Sequence, residues 1–515
     1  MANIVYVPLD ERPCNYKYPQ QLSKMTDLNM VVPPYDVLGK KKTPADYQRL
    51  LNWLEDVAAE ANYLIISIDM LVYGGIVPSR MHNITTEKCL NRLRILSQLK
   101  ETYPKLKIYA YDLIMRTPAY NNSDEEPDYY EVHGLDIFKL GWLTDKKDQD
   151  MLDSEEEEQL QRIKQSLPID VKEDYLNRRT TNAQVTNSVI DLVDQNIIDY
   201  LIIPLDDNAE YGFTSIEQRQ LMHDIDRRNL LDVVNVYPGA DDIGCTLFSR
   251  VFCDVKQHQP EVFLRYSSTH GPFMIPKYED RSLGESIKSH MTAAGGVIVF
   301  DEKENDFILM VNASPTGPES MAAADTPLEK RHHDYFTESN IREFAMAIKY
   351  YLGKNKHVAL ADVAFGNGGD HSLLQLLTKQ SILHQLIAYA GWNTNGNTMG
   401  TVIAHAIIAT YYQTQDTHNR QEQHDRSFFY ARLIEDWGYQ SIVRKRISEK
   451  LPDLGVTVRD LGEEYCNIVQ LVGEALDQFL HDTLQSMSPY NIHITNVDLP
   501  WKRMFEVSFD IELEE

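Results

Sequence analysis

Short apolar runs, rich in β-branched residues, alternate with amphipathic stretches over roughly the first 400 residues. The runs 4–9, 30–32, 63–68, 107–111, 200–205, 233–237, 262–266, 297–300 and 358–361 predict strands, and 46–61, 86–101 and 181–195 predict helices between them. Continuous rather than alternating apolar runs suit strands covered on both faces. Helices between strands imply parallel pairing through right-handed crossovers. The pattern therefore predicts an α/β fold, either a (β/α)8-like barrel or a doubly wound parallel sheet, with the number of repeating units favouring the barrel.

From residue 326 onward the helical period takes over. Segments 420–450 and 460–485 predict long helices, and 491–514 predicts a terminal β-hairpin, with alternation through Phe505-Glu506-Val507-Ser508-Phe509-Asp510. The predicted organisation is an α/β domain over 1–325, a strand/helix segment over 326–415 that completes the site, and a mainly helical region over 416–515. An acidic, apolar-poor insertion lies near 121–173, where Glu155-Glu156-Glu157-Glu158 is expected to be a solvated helix face.

Charge narrows the partners. Fifty Lys+Arg against 77 Asp+Glu give a net charge of −27, and no basic stripe with interleaved aromatics offsets it. Such a field repels phosphate backbones and anionic lipid, so nucleic acid and membrane surfaces are poor ligands. No apolar run approaches the ~20 residues of a membrane span. Ile4-Val5-Tyr6-Val7 forms a strand pattern where a leader would be charged and then apolar, so the expected location is cytoplasmic. The five cysteines are widely spaced and form no CxxC pair, which argues against a disulfide framework or a zinc knuckle. A homo-oligomer is compatible with the sequence and is not specified by it.

The chemistry collects where the apolar runs end. Asp10-Glu11-Arg12, Asp69 with Tyr73 and Arg80, Asp112 with Arg116, Asp206-Asp207, Asp241-Asp242, and Asp362 with Asn367 and Asp370 each follow a predicted strand. Ligands of parallel sheets bind at the carboxyl ends of strands, where loops converge. Taken singly, such an Asp often caps the next helix, and Asp370 is well placed to cap a helix from 371. Asp10-Glu11-Arg12 also fits a structural ion-pair knot. Recurrence on strand after strand favours a shared pocket, on which Asp10, Asp69, Asp206, Asp241 and Asp362 are expected to converge.

Asp206-Asp207 is the sharpest pair. Neighbours in a regular strand point to opposite faces, so both address one ligand only where the strand ends. Two close carboxylates cannot both ionise freely; one can serve as a general acid while its partner stays charged, as glycosidic cleavage requires. A second cluster, Gly391-Trp392-Asn393-Thr394-Asn395-Gly396-Asn397-Thr398, crowds an indole, amides and hydroxyls into one turn, a set suited to sugar recognition. Gly366-Asn367-Gly368-Gly369 is not a dinucleotide fingerprint but could cradle a phosphate. No Walker loop, HExxH or GxSxG occurs.

Pro8-Leu9-Asp10-Glu11-Arg12-Pro13-Cys14-Asn15, Asp69 through Gly75 to Arg80, Asp206-Asp207 with Gly212, Pro238-Gly239-Ala240-Asp241, Asp362 with Asn367–Asp370, and Gly391-Trp392-Asn393-Thr394 together resemble a bacterial domain-of-unknown-function family with a P-L-D-E-R-P opening. The resemblance spans roughly 1–410 and implies no activity. Asp242 stands where the family pattern has Glu. The Asp pair alone is also similar to that of substrate-assisted N-acetylhexosaminidases. That likeness implies that the first carboxylate orients the substrate acetamido group and the second is the acid.

The reading that follows is an exo-acting glycoside hydrolase on a small intracellular sugar conjugate, with an N-acetylhexosaminide among the candidates. Asp206 and Asp207 are the catalytic residues. Asp10, Arg12, Asp69, Tyr73, Arg80, Asp241, Asp242, Asp362, Asn367, Asp370, Trp392, Asn393 and Asn397 are the expected substrate-binding residues, and no cofactor is required. The alternatives are a hydrolase or lyase using Mg²⁺ or Mn²⁺ on the same acids, and a non-enzymatic sugar-binding protein.

Overall fold

The structure, a computed structural model, describes residues 2–317, 321–413 and 419–514. The chain forms two compact units, one from Met1–Tyr16, Leu28–Leu247 and Tyr278–Asp280, the other from Lys17–Asp27, Phe248–Lys277 and Arg281–Glu515.

In the first unit six strands, β1 (Asn3–Val7), β2 (Asn29–Val31), β3 (Tyr63–Ser67), β4 (Lys107–Tyr111), β5 (Tyr200–Leu205) and β6 (Val234–Pro238), pair in the order β2-β1-β3-β4-β5-β6, all parallel. Every residue of β5 is buried, as its unbroken apolar run demands. One core runs along the sheet through Val5, Val7, Leu64, Ile66, Leu201 and Ile203 and takes in Leu54, Leu96 and Val189 from the helices. Burying each such side chain contributes about 1.5–3 kcal/mol. Helix starts are fixed locally: the side chains of Asp46, Ser67 and Thr85 accept backbone N–H bonds from Arg49, Met70 and Lys88. The chain leaves β1 for β2 on one side and then reaches β3 on the other, so the order reverses between β1 and β3. That switch point lies at the ends that carry Asp10 and Asp69.

The stretch 121–173 carries more internal packing than its composition suggests. Helices Tyr130–Asp148, Ser154–Ser166 and the start of Ile169–Asp194 enclose their own small core of Tyr130, Ile137, Leu140, Leu160, Ile163 and Tyr175. Its apolar residues are few but fall on facing helix sides. The acid run is the exposed start of a helix, where Asp153 and Glu156 form a capping box.

The second unit holds β7 (Glu261–Tyr266), β8 (Val297–Val299), β9 (Phe307–Ala313), β10 (Val358–Val363) and β11 (Ala388–Ala390) in the parallel order β11-β10-β9-β7-β8. Strands β9 and β11 were not predicted. β9 is apolar on both faces, which periodicity cannot tell from a buried helix segment, and β11 has only three residues within a turn-like stretch. The strands therefore pair into a six-stranded and a five-stranded parallel sheet; one eight-stranded ring is not among the pairings of the described residues. The predicted helix 420–450 divides into Asn419–Arg432, eleven residues of π-helix at Leu433–Val443, and Arg444–Ser448. The strands β12 (Asn491–Asp498) and β13 (Ser508–Glu514) form the terminal antiparallel hairpin. Among the described residues no helix is long and apolar enough to cross a membrane.

Candidate functional site

At the carboxyl edge of the first sheet, Arg12 lies between two carboxylates. Its Nε and Nη2 donate to Asp10 Oδ2 at 2.9 and 2.6 Å, while Nη1 and Nη2 donate to Asp241 Oδ2 and Oδ1 at 3.1 and 2.5 Å. The Asn15 amide donates to both acids at 2.9 Å. All four residues are buried. The strands ending at Asp10 and Asp241 are four places apart, roughly 19 Å at ~4.8 Å per strand. Asp10 and Asp241 each lie three residues beyond their strands, and the two loops bring them onto one guanidinium. The ion-pair knot is thus what these residues form, and the Arg12 donors are spent on protein acids rather than facing outward.

A second network surrounds Asp206 and Asp207, which follow β5. Arg80 contacts Asp206 at 2.7 Å, Glu125 at 3.2 Å and Glu126 at 3.5 Å. Arg116 contacts Asp207 and Glu126 at 2.8 Å and Glu125 at 3.1 Å. Two guanidiniums therefore face four carboxyl groups. Arg80 reaches this position because Gly74 and Gly75 turn the chain at φ +93° and +129° ahead of the helix Ile76–Ser79; a Cβ at Gly74 would lie 2.7 Å from Ala45 N and Pro44 Cβ. Asp207 itself sits at φ +42°, which breaks the strand alternation and lets the neighbouring acids share one network.

The two acids are unequal. Asp206 is held by Arg80 with 11% of its side chain exposed, whereas Asp207 has 24% exposed. Burial pushes the Asp207 carboxyl up to about 6, with Arg116 pulling it down and Asp206 adding to the rise. Burial also raises Glu126, against Arg116 and Arg80. Glu125, Glu126 and Arg116 were not among the expected site residues. The signal was Glu125-Glu126-Pro127, an acid pair close behind Arg116.

Asp69 is not a helix cap: the Ser67 Oγ accepts the Met70 N–H, and Asp69 Oδ2 instead accepts the Leu113 N–H at 3.0 Å. Burial pushes Asp69 up to about 7 and, with Asp69 beside it, holds Asp112 well above the carboxylate range. Tyr73 is buried, stacked on His82 at 4.5 Å, and its hydroxyl has no partner among the described residues. Asp242 is a local brace, accepting from Ala240 N at 3.2 Å and Thr246 Oγ1 at 3.3 Å.

The remaining expected residues belong to the second unit. Asp362 Oδ1 accepts from Asn312 Nδ2 at 2.9 Å and Oδ2 from the Asp370 N–H at 2.7 Å; burial, with Asp370 near, pushes it up to about 8. Asp370 caps the helix His371–Lys379 through the Ser372 N–H and accepts the Tyr335 hydroxyl. No phosphate cradle forms: the N–H groups of Gly366, Asn367, Gly369 and Asp370 are bonded to Ala322 O, Asn393 O, Asp436 O and Asp362. Trp392 is 4% exposed, lies edge-on to Tyr18 at 5.8 Å, and donates its indole N–H to Thr401 Oγ1 at 3.2 Å. It offers no open ring face, because the side chain is buried, and its N–H is taken by Thr401 of the following helix. Asn397 is likewise buried, and Asn393 lies on a φ +57° turn. Behind these loops the π-helix places Asp436 Oδ2 on the Gly391 N–H at 2.9 Å and Ser441 Oγ on the Gly369 carbonyl at 2.8 Å. Arg432 and Glu435 complete that buried group, and burial pushes Asp436 up to about 7. The signal for it was Glu435-Asp436 inside an apolar run, where both acids could not face water.

Among the described residues, three metal-ligand atoms lie within 4.8 Å of one another only at His332, His333 and Asp334, where both histidines are exposed. A cavity of about 480 Å³ lies at the amino end of β10 and β11, lined by His357, His384, Tyr412, Asp425 and Arg426, and it contains none of these acids. No curated protein matches the chain. The family described as "Protein of unknown function (DUF4127)" matches residues 4–510, and the chain belongs to it.

Proposed function

We propose that the protein is a cytoplasmic, exo-acting glycoside hydrolase for a small sugar conjugate, in which Asp207 is the acid/base and Asp206 the charged carboxylate. The inequality of the pair carries this reading. An acid near 6 can hold a proton close to neutral pH, give it to a departing glycosidic oxygen and take one back from water. Arg80 pairs with Asp206 at 2.7 Å, and the role given to Asp206 is to stabilise a developing oxocarbenium charge or orient an acetamido group. Arg116 limits the rise that burial would impose on Asp207. Four carboxyl groups around two guanidiniums also suit a transition state that gains positive charge. The test is a panel of nitrophenyl glycosides, N-acetylhexosaminides first, with kcat/KM followed from pH 4 to 9. The proton donor must be protonated, so kcat/KM should fall as pH rises through about 6. Absence of turnover on every glycoside, or activity that climbs through that range, would remove the assignment.

A further inference from the structure

Tyr278 belongs to the first unit and lies far in sequence from Asp207. The Asn208 N–H donates to the Tyr278 carbonyl at 2.9 Å, which ties its backbone to the residue after Asp207. Positive backbone angles flank this tie: Asp207, next to Asn208, sits at φ +42° and Tyr278 at φ +68°. For a bulky aromatic that region is an outlier, retained only where the surroundings impose it. Yet Tyr278 is 58% exposed, so core packing does not explain the strain. Its phenol titrates above the ordinary value, raised by partial burial and by the Asp207 carboxylate, with Arg116 opposing. A mostly exposed tyrosine is therefore tied through its backbone to the residue that follows the most open acid of the site.

We propose that Tyr278 is the ring platform of the Asp206–Asp207 site, covering the apolar face of a pyranose whose glycosidic oxygen lies at Asp207. This rests on the glycosidase reading and adds to it a substrate class, pyranosides with an unobstructed ring face. It also places the stacking role, which the sequence suggests for Trp392, on a different residue.

The experiment uses full-length protein with Tyr278→Ala, Tyr278→Phe and Tyr278→Trp. Calorimetry with glucose, galactose, mannose and N-acetylglucosamine is run beside kinetics on the matching nitrophenyl glycosides. An aromatic face supplies enough contact that Tyr278→Ala should weaken sugar binding and raise KM about tenfold, with kcat changed less than about threefold. Tyr278→Phe and Tyr278→Trp should stay within about threefold of wild type, because the ring does the binding. Melting temperatures should match throughout, since the side chain is exposed. Wild-type affinity in Tyr278→Ala overturns the proposal, and so does an equal loss in Tyr278→Phe, which would assign the effect to the hydroxyl. Failure of all four sugars to bind folded wild-type protein overturns it as well. Sugar binding that depends on the Tyr278 ring, without turnover of any glycoside, upholds the platform while ending the hydrolase reading.

Discussion

Arg12→Met tests whether the Arg12 group is structural or a ligand contact. The substitution keeps an apolar stem of similar length but removes one charge and four hydrogen bonds. Asp10 and Asp241, at 3% and 5% exposure, lose their shared guanidinium, while Asp10 keeps the backbone N–H of residue 12 and both keep the Asn15 amide. Breaking a buried ion pair from one side costs about 3–5 kcal/mol, because the remaining charge is desolvated and unpaired. The folded variant can relieve this by retaining a proton that the unfolded chain releases. Its deficit should then widen as pH rises, by up to ~1.4 kcal/mol per pH unit while one proton is at issue. Urea unfolding at pH 5.5 and pH 8, at fixed ionic strength, measures both quantities. We expect a loss of about 3 kcal/mol or more at pH 8 and a clearly smaller one at pH 5.5. A loss below ~1 kcal/mol at pH 8, or one equal at both values, would refute the argument. Unchanged stability with a raised KM would return Arg12 to the list of sugar contacts.

Three further outcomes are expected. Asp207→Asn should cost about 10²–10⁴ in kcat on a glycoside with a poor leaving group but far less on an activated aryl glycoside, whereas Asp206→Asn should slow both alike; equal losses for Asp207→Asn would sink the acid assignment. Asp69 is pushed up to about 7 from an ordinary value of 3.8, so the folded state holds a proton that the unfolded chain loses, and wild-type stability should fall as pH rises through that window; thermal melts of Asp69→Asn should show a flatter pH dependence, and a slope identical to wild type would contradict the shift. A Cβ on Gly369 would lie 2.0 Å from Tyr389 Oη and 2.9 Å from Asp362 Oδ2, so Gly369→Ala should cost about 1–3 kcal/mol by overpacking, partly recovered in the double variant with Tyr389→Phe; denaturant midpoints showing no recovery would place the clash elsewhere.

What the sequence discloses depends on whether a residue's partners are near it in the chain. β4 and β5 were read at their observed ends, since a continuous apolar run between polar residues has one simple interpretation. The Asp206-Asp207 pair was visible for the same reason, at the end of such a run. Glu125 and Glu126 were not, because acids in an acidic stretch look solvated until a guanidinium arrives from another segment. Trp392 misled in the opposite sense: an indole among amides and hydroxyls looks exposed, but Thr398 and Thr401 satisfy the turn from within. The π winding of 433–443 leaves no periodic mark beyond apolar residues on every side.

The arginines place the strand-end acids in unequal surroundings. The two sheets share one strand order, β2-β1-β3-β4-β5 in the first and β8-β7-β9-β10-β11 in the second, and each buries an acid at its fourth strand, Asp112 and Asp362. Both are raised by burial and by a neighbouring acid. Such carboxyls hold protons, but at 2% and 1% exposure they cannot pass them to a substrate. Asp10 and Asp241 differ in that Arg12 lies between them, and both are buried. Asp207 combines the two conditions. Among the described strand-end acids it is the one both raised by burial and open to solvent, and Arg116 stops the rise at about 6. On the hydrolase reading proposed above, proton transfer is therefore assigned to one carboxyl of the first unit. That inequality, more than the number of acids at the edge, is the physical basis for placing the chemistry at Asp207.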